Sequence, residues 1–278
     1  MYRNIAVAMM GNDGDERALD QGIALSRHWG SHLTPMQFVE LTQPSYGAWS
    51  LSLDPRIVEL HEGQRQEAQA RVDRAAEKIR QAHVHASDVR LVESLYQSPW
   101  DAVSKECFSA DIIVIGRSNE LALYPIQAQG LATVIMQSGL PVLVVPNNGR
   151  LLTTFKKAVV AWHPSREACR ALHDALPILL GCESVELLSY DGDTDPLDPM
   201  RRQALIENLR HHGVKARSIA HGSQGIDIAS LIVSHAEKAG ADVVVAGTYG
   251  HSRLREWAFG GVTRELLWNA PLPVLMSH

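Results

Sequence analysis

The stretch Gly247-Thr248-Tyr249-Gly250-His251, with Gly260-Gly261-Val262-Thr263 shortly after it, has the residue types and spacing to hold an anion. It follows the apolar run Asp242-Val243-Val244-Val245 and opens a segment of helical spacing, so its glycines fall where a strand hands over to a helix. A helix start leaves backbone N–H groups without partners and carries the positive end of the helix dipole, and glycine lets a ligand come close to the backbone. Phosphate is the anion such a turn commonly holds. Glycine also marks ordinary turns, so the residues alone leave the plain turn reading open. Arg253 and Arg255 follow the loop and would either reach phosphates or form solvated helix surface.

The elements that position this loop repeat along the chain. Ala110-Asp111-Ile112-Ile113-Val114-Ile115-Gly116 matches Ala241-Asp242-Val243-Val244-Val245-Ala246-Gly247, and Leu140-Pro141-Val142-Leu143-Val144-Val145 matches Leu272-Pro273-Val274-Leu275-Met276. At the front of each half, Val7-Ala8-Met9-Met10 lies over Val160-Ala161-Trp162-His163, and Arg17-Ala18-Leu19 over Arg170-Ala171-Leu172. This is duplication of a domain-sized unit of roughly 130 to 150 residues, not a short-period solenoid.

Apolar strands are expected near 4–9, 33–39, 88–92, 111–115 and 142–145, and again near 157–162, 184–189, 214–219, 242–246 and 273–277. Helical patterns fall between them, including a long charged one from about residue 55 to residue 83. Continuous Val/Ile/Leu runs suit strands covered on both faces, and alternation with helices implies parallel pairing through right-handed crossovers. The fold class is therefore α/β: two tandem doubly wound, Rossmann-like domains, residues 1–148 and 155–278, each a five-stranded parallel sheet with helices on both faces. Pro146-Asn147-Asn148-Gly149-Arg150 reads as the linker. In such sheets ligands sit beyond the carboxyl ends of the strands, where strand order reverses. If first and fourth strands are neighbours, that rule sets Gly247-Thr248 beside Trp162-His163-Pro164-Ser165.

Composition narrows the function classes. The chain has 278 residues, 45% of them hydrophobic, so folded cores are expected throughout. A net charge of −5 gives no general attraction to nucleic acid or to anionic membrane. The apolar opening, Ile5 to Met10, is too short for a signal peptide, and no segment approaches the ~18 apolar residues needed to span a bilayer. A cytoplasmic protein is expected. Cys107, Cys169 and Cys182 form an odd set without C-x-x-C spacing and are read as buried free thiols.

Among 13 histidines, His83 with His85 and His211 with His212 fall at predicted helix ends, where surface exposure is expected. His163 and His251 lie on the ligand side of the second sheet and would line a pocket; no metal is assigned to them. Trp162, Trp257 and Trp268 would stack on a base or fill cores. Asp191, Asp193, Asp195 and Asp198 lack the spacing of a calcium loop and read as a solvated turn, in the same kind of Gly-rich loop as Asp13 and Asp15. There is no Gly-x-x-x-x-Gly-Lys-Ser/Thr loop, no Gly-x-Gly-x-x-Gly after a strand, no His-Glu-x-x-His and no Gly-x-Ser-x-Gly. No catalytic residue is named.

The opening strand with its turn, the Gly-x-x-Gly loop after the fourth strand and the closing Pro-Val-Leu strand together resemble the universal stress protein family in its tandem form, over nearly the whole chain. Nucleotide-binding members carry Gly-x-x-Gly, nine residues, then Gly-Ser or Gly-Thr. Here Gly247, Gly250 and Gly260 match, Gly261 stands where the family has a hydroxyl, and Val262-Thr263 continue the pattern. The resemblance implies that the loop holds the phosphates of ATP, with Mg2+, and that an Asp at the end of the first strand helps hold the nucleoside. At that place this chain has His163 in the second copy and Met10 in the first, weaker acceptors than a carboxylate. The resemblance also sets Tyr190 near the adenine position. The first copy is more degenerate: Asn119 replaces the second glycine, Glu120 adds negative charge, and Gly130 falls fourteen residues after Gly116 where Gly260 falls thirteen after Gly247.

The implied nucleotide site thus comprises Trp162, His163, Tyr190, Gly247, Thr248, Gly250, His251, Gly260, Gly261, Val262 and Thr263, with the first half mainly structural. The function that follows is a stress-response sensor binding ATP or a related small ligand in the carboxyl-terminal half. The alternative is a non-nucleotide-binding interaction module with a vestigial site. Family members commonly pair their closing edge strands between subunits. The resemblance therefore implies an intrachain pseudo-dimer, through Pro141–Val145 and Pro273–Ser277, that dimerises again.

Overall fold

The computed structural model describes residues 1–42, 55–120, 123–148, 151–191, 198–222, 227–248 and 261–278. The first half runs β1 (Asn4–Met9), α1 (Asp15–Trp29), β2 (His32–Glu40), α2 (Pro55–Ala82), β3 (Arg90–Ser94), α3 (Pro99–Glu106), β4 (Ile112–Gly116), α4 (Tyr124–Gln137) and β5 (Val142–Val145). The second runs β6 (Lys157–Trp162), α5 (Arg166–Asp174), the single turn α6 (Leu176–Leu179), β7 (Ser184–Asp191), α7 (Asp198–His211), β8 (Ala216–Gly222), α8 (Ile228–Ala239), β9 (Val243–Gly247), α9 (Gly261–Asn269) and β10 (Val274–Ser277). The expected strands are found, with bounds shifted by a few residues at most.

The strands form one ten-stranded sheet in the order β3-β2-β1-β4-β5-β10-β9-β6-β7-β8. Every pairing inside a half is parallel, and β1 lies beside β4 as β6 lies beside β9. The halves meet at an antiparallel junction, Val274 opposite Val144, Leu275 opposite Leu143 and Met276 opposite Val142. The carboxyl ends of the two sets of strands consequently point to opposite edges of the sheet. Two separate crevices result, not one shared site.

Strand alternation sorts the side chains into two cores that each cross the junction. One combines Ile5, Val7, Leu143 and Val145 with Val160, Leu187, Val245 and Leu275 under α1, α2, α5 and α7. The other combines Ile113, Ile115, Val142 and Val144 with Val159, Val244, Val274 and Met276 under α3, α4, α8 and α9. The outermost strand β8 departs from the expected two-sided cover, since most of its residues are exposed.

The repeat has a physical reason. Asp111 Oδ2 accepts from the N–H groups of Arg3, at 2.5 Å, and Asn4, at 2.9 Å; Asp242 Oδ2 accepts from Lys156, at 2.7 Å, and Lys157, at 3.0 Å. Each Asp ties the start of the first strand of its unit to the start of the fourth. Helix ends follow familiar chemistry: Ser165 caps α5 and Asp227 caps α8 with side-chain oxygens, and Gly30 and Gly240 close α1 and α8 in the left-handed region.

Polar contacts across the junction complete the fusion. Arg117, buried just after β4, donates from Nη1 to the carbonyls of Leu267 at 3.4 Å and Ala270 at 2.9 Å, satisfying the end of α9. Gln21 of α1, fully buried, exchanges hydrogen bonds with the backbone of Leu152, and the Tyr2 hydroxyl donates to the Asp174 carbonyl at 2.5 Å.

The cysteine reading needs one correction. Cys107 and Cys182 are buried, but Cys169 is exposed, because α5 turns Ala168, Ala171 and Leu172 inward and leaves Cys169 on its outer side. Burial pushes the Cys107 and Cys182 thiols up to about 12, so neither supplies thiolate near neutral pH. Alkylation of the native protein, followed by mass spectrometry, is expected to add one label, on Cys169, and to reach all three thiols only in denaturant. Arg117→Leu leaves two helix-end carbonyls without their donor and should lower unfolding free energy by about 2 kcal/mol or more in urea titrations.

Candidate functional site

The second crevice lies at the carboxyl ends of β6, β7 and β9. Pairing of Ala161 with Ala246 brings Trp162-His163 beside Gly247-Thr248, as the strand-order argument requires. Gly247 has a packing reason to be glycine: a Cβ there would stand 2.4 Å from the Ala168 nitrogen and the Glu167 carbonyl carbon, where α5 begins. Gly116 is the counterpart, its Cβ position 2.0 Å from the Gly14 carbonyl oxygen. The first glycine of the loop thus serves helix-on-strand packing in both halves.

Thr248 is fully buried, and its N–H and hydroxyl both donate to the Ser277 carbonyl at 3.1 Å. Its side chain anchors the loop to β10. The Trp162 ring packs against the core under α5 and α7, whereas Tyr190 and Val262 pack against the core under α8 and α9, so Trp162 and Tyr190 stand on opposite faces of the sheet. His163 is exposed at the end of β6. Gly261, the first residue of α9, is exposed, with open space where a Cβ would be, and Thr263, in the first turn of the helix, is buried. Tyr249, Gly250, His251 and Gly260 lie outside the described residues, as do Arg253, Arg255, Trp257, Asp193 and Asp195.

The Tyr190 hydroxyl is buried and has no hydrogen-bond partner among the described residues. Burial pushes its pKa up, so it stays a neutral donor. A buried hydroxyl left unpaired costs roughly 1–3 kcal/mol, and a bound group with an acceptor would recover it.

The first crevice is a cleft of about 360 Å³ between the ends of β1 and β2 and the helices α2, α3 and α4. Met10, Phe38, Trp100 and Ile126 give it apolar walls, and Glu40, Glu67 and Arg71 line its charged side. Its loop after β4 is closed by the protein itself. Gln127, buried in α4, accepts from the Ser118 N–H at 3.0 Å and donates to the Gly116 carbonyl at 3.1 Å, and the Ser118 hydroxyl accepts from the Glu120 N–H at 3.1 Å. Arg117, the cation in the loop, is committed to α9. Gly130 is glycine for Trp100, whose ring lies 2.1 Å from where a Cβ would be, and not for a phosphate.

Asp15 is not a solvated loop carboxylate. It begins α1, and its carboxylate accepts from the N–H groups of Met10 at 2.7 Å and Gly11 at 2.6 Å, shaping the turn that floors the cleft. Neither Gln127 nor Asp15 carries a sequence signal, since a glutamine in a helix and an acid at a helix start are both commonplace.

The tandem doubly wound fold defines the class as α/β, with the strand-order switch points, where open sheets of this kind commonly bind ligands, at opposite edges of the sheet. The model of the universal stress protein family matches residues 1–146 and again residues 154–278. The chain belongs to the universal stress protein family. Among solved structures, a universal stress protein from Archaeoglobus fulgidus DSM 4304 superposes with a TM-score of 0.75 at 17% identity, covering 98% of this chain and 95% of that one. A universal stress protein from Pseudomonas aeruginosa UCBPP-PA14 gives 0.62 at 17% identity, covering 99% and 93%. Comparison with curated proteins gave no match. Among the described residues no helix is long and apolar enough to cross a membrane.

Burial pushes the Asp15 carboxyl up to about 6, against the lowering effect of the Met10, Gly11 and Asn12 N–H groups and of Arg71. An ordinary Asp titrates near 3.9, so this group favours folding fully below about pH 4, and the contribution is lost as pH rises through about 6. Carboxyl-carbon NMR should show one aspartate titrating near pH 6 in the native protein, and that resonance should vanish in Asp15→Asn.

Proposed function

We propose that this universal stress protein binds an adenine nucleotide, ATP with Mg2+, in its carboxyl-terminal half and acts as a stress-response sensor whose partner choice depends on the ligand. Residues 1–148 serve as the structural unit and residues 155–278 as the binding unit. The observation that carries this reading is the Tyr190 hydroxyl, buried and unpartnered among the described residues at the ligand edge of the second sheet.

Supporting it, the α9 start at Gly261 is exposed, as an anion site at a helix N-terminus requires. Gly250 and Gly260 would approach the phosphates, His163 and His251 the ribose or phosphate edge, and Tyr190 the base. Bound nucleotide would supply negative charge at the loop; the residues bind and orient it, and among the described residues no group is placed to activate water for rapid hydrolysis. The protein is proposed to work in the cytoplasm, as a homodimer of the fused pair.

A second reading, an interaction module with a vestigial site, is favoured by Gly247 and Thr248, already engaged by α5 and Ser277. Calorimetric titration with ATP and magnesium separates the two. Saturable heat, abolished by Gly250→Asp and weakened about fivefold by Tyr190→Phe, the worth of one hydrogen bond of about 1 kcal/mol, is the expected result. No heat at millimolar ATP, together with no adenylate in native mass spectra, would establish the interaction module instead.

A further inference from the structure

Beside the second crevice, where His221 pairs across β7 and β8 with Tyr190, the outer edge of the second half carries a chain of titratable groups that neither the junction nor the glycine loop uses. Glu186 of β7 is buried on the face covered by α8. Its carboxylate pairs with Arg217, its cross-strand neighbour on β8, and with His235 of α8, whose Nε2 lies 2.6 Å from Oε2. Burial pushes the Glu186 carboxyl up, but the hydrogen bonds from Arg217 and His235 outweigh it and hold the group below the usual range. An ionised carboxylate on Nε2 keeps the ring proton there, so in neutral His235 the lone pair is on Nδ1. That Nδ1 lies 3.2 Å from Nε2 of His221, an exposed residue near the end of β8, with the rings 70° apart.

We propose that His235 Nδ1 and His221 Nε2 are the two protein ligands of a divalent transition-ion site of the zinc class, with Glu186 as the positioning residue behind His235. Two ligands on one tetrahedral ion with bonds of about 2.0–2.1 Å stand about 3.3 Å apart, close to the separation already present. The exposed His221 ring is the one that turns to aim both lone pairs at a common point. A carboxylate behind a ligating imidazole is the usual outer-shell arrangement, fixing the tautomer and raising basicity. Imidazole nitrogen selects zinc, nickel or copper over magnesium and calcium. Among the described residues no three His, Cys, Asp or Glu groups converge on a metal position, so water completes the coordination and the ion remains exchangeable.

The test is zinc chloride titrated at neutral pH into the untagged protein, followed by calorimetry and by NMR of the histidine ring nitrogens. Zinc should shift His235 Nδ1 and His221 Nε2 together while His235 Nε2 stays protonated, and magnesium should shift neither. His221→Gln, a change at an exposed position, should remove one equivalent of zinc. Glu186→Gln should keep that equivalent but bind it about 10–100-fold more weakly, the usual effect of losing an outer-shell partner. Equal uptake by the wild type and His221→Gln, or shifts confined to other histidines, would show that the two rings only share a proton and would overturn the proposal. Unchanged affinity in Glu186→Gln would overturn the positioning role.

Discussion

The antiparallel pairing of β5 with β10 is the constraint on which the rest of the molecule depends. An edge strand as apolar as Val142–Val145 would be an open template for association, and β10 presents the same kind of edge. Joining them covers both edges and continues each core from one half into the other, with Leu143 and Leu275 on one face and Val142, Val144, Val274 and Met276 on the opposite one. The antiparallel sense also dictates that the two crevices open at opposite edges of the sheet. Each must then function, or decay, without the other.

They have diverged accordingly. In the first half the loop after β4 has been drawn into the architecture: Arg117 satisfies the end of α9, and Gln127 takes the backbone groups a ligand would otherwise meet. The residue after Gly247 in the second half is Thr248, which secures β10 and makes no such reach across the junction. The reciprocal support comes from elsewhere, with Arg170 of α5 donating to the Gly139 carbonyl just beyond α4. The first-half loop is thus engaged by its own protein, while in the second half the Tyr190 hydroxyl is buried with no partner among the described residues.

The glycine loop illustrates how one residue type answers two demands. Gly247 and Gly116 both sit where a helix start presses on a strand end, and any side chain would collide with backbone. That packing demand exists whether or not a ligand binds, which is why Gly116 persists in the half whose loop is closed. The second and third glycines of the pattern, Gly250 and Gly260, have no such counterpart in the first half, where Asn119 and a shifted Gly130 stand instead.

The sequence by itself determined the strands and helices, the duplication, parallel pairing within each half and the family, because these rest on local periodicity and on motifs written contiguously. Even the Asp111 and Asp242 clamps were visible as repeated letters, although not as clamps. What only the tertiary structure decided is where side chains go when their partners are distant in sequence. Arg117 meets a carbonyl 153 residues away, and Trp162 and Tyr190 turn to opposite faces because of strand register. His235 finds Glu186 49 residues back in the chain, and His221 lies beside it. A single chain of letters records each residue's chemistry; burial and register, which depend on residues distant in sequence, choose its partner.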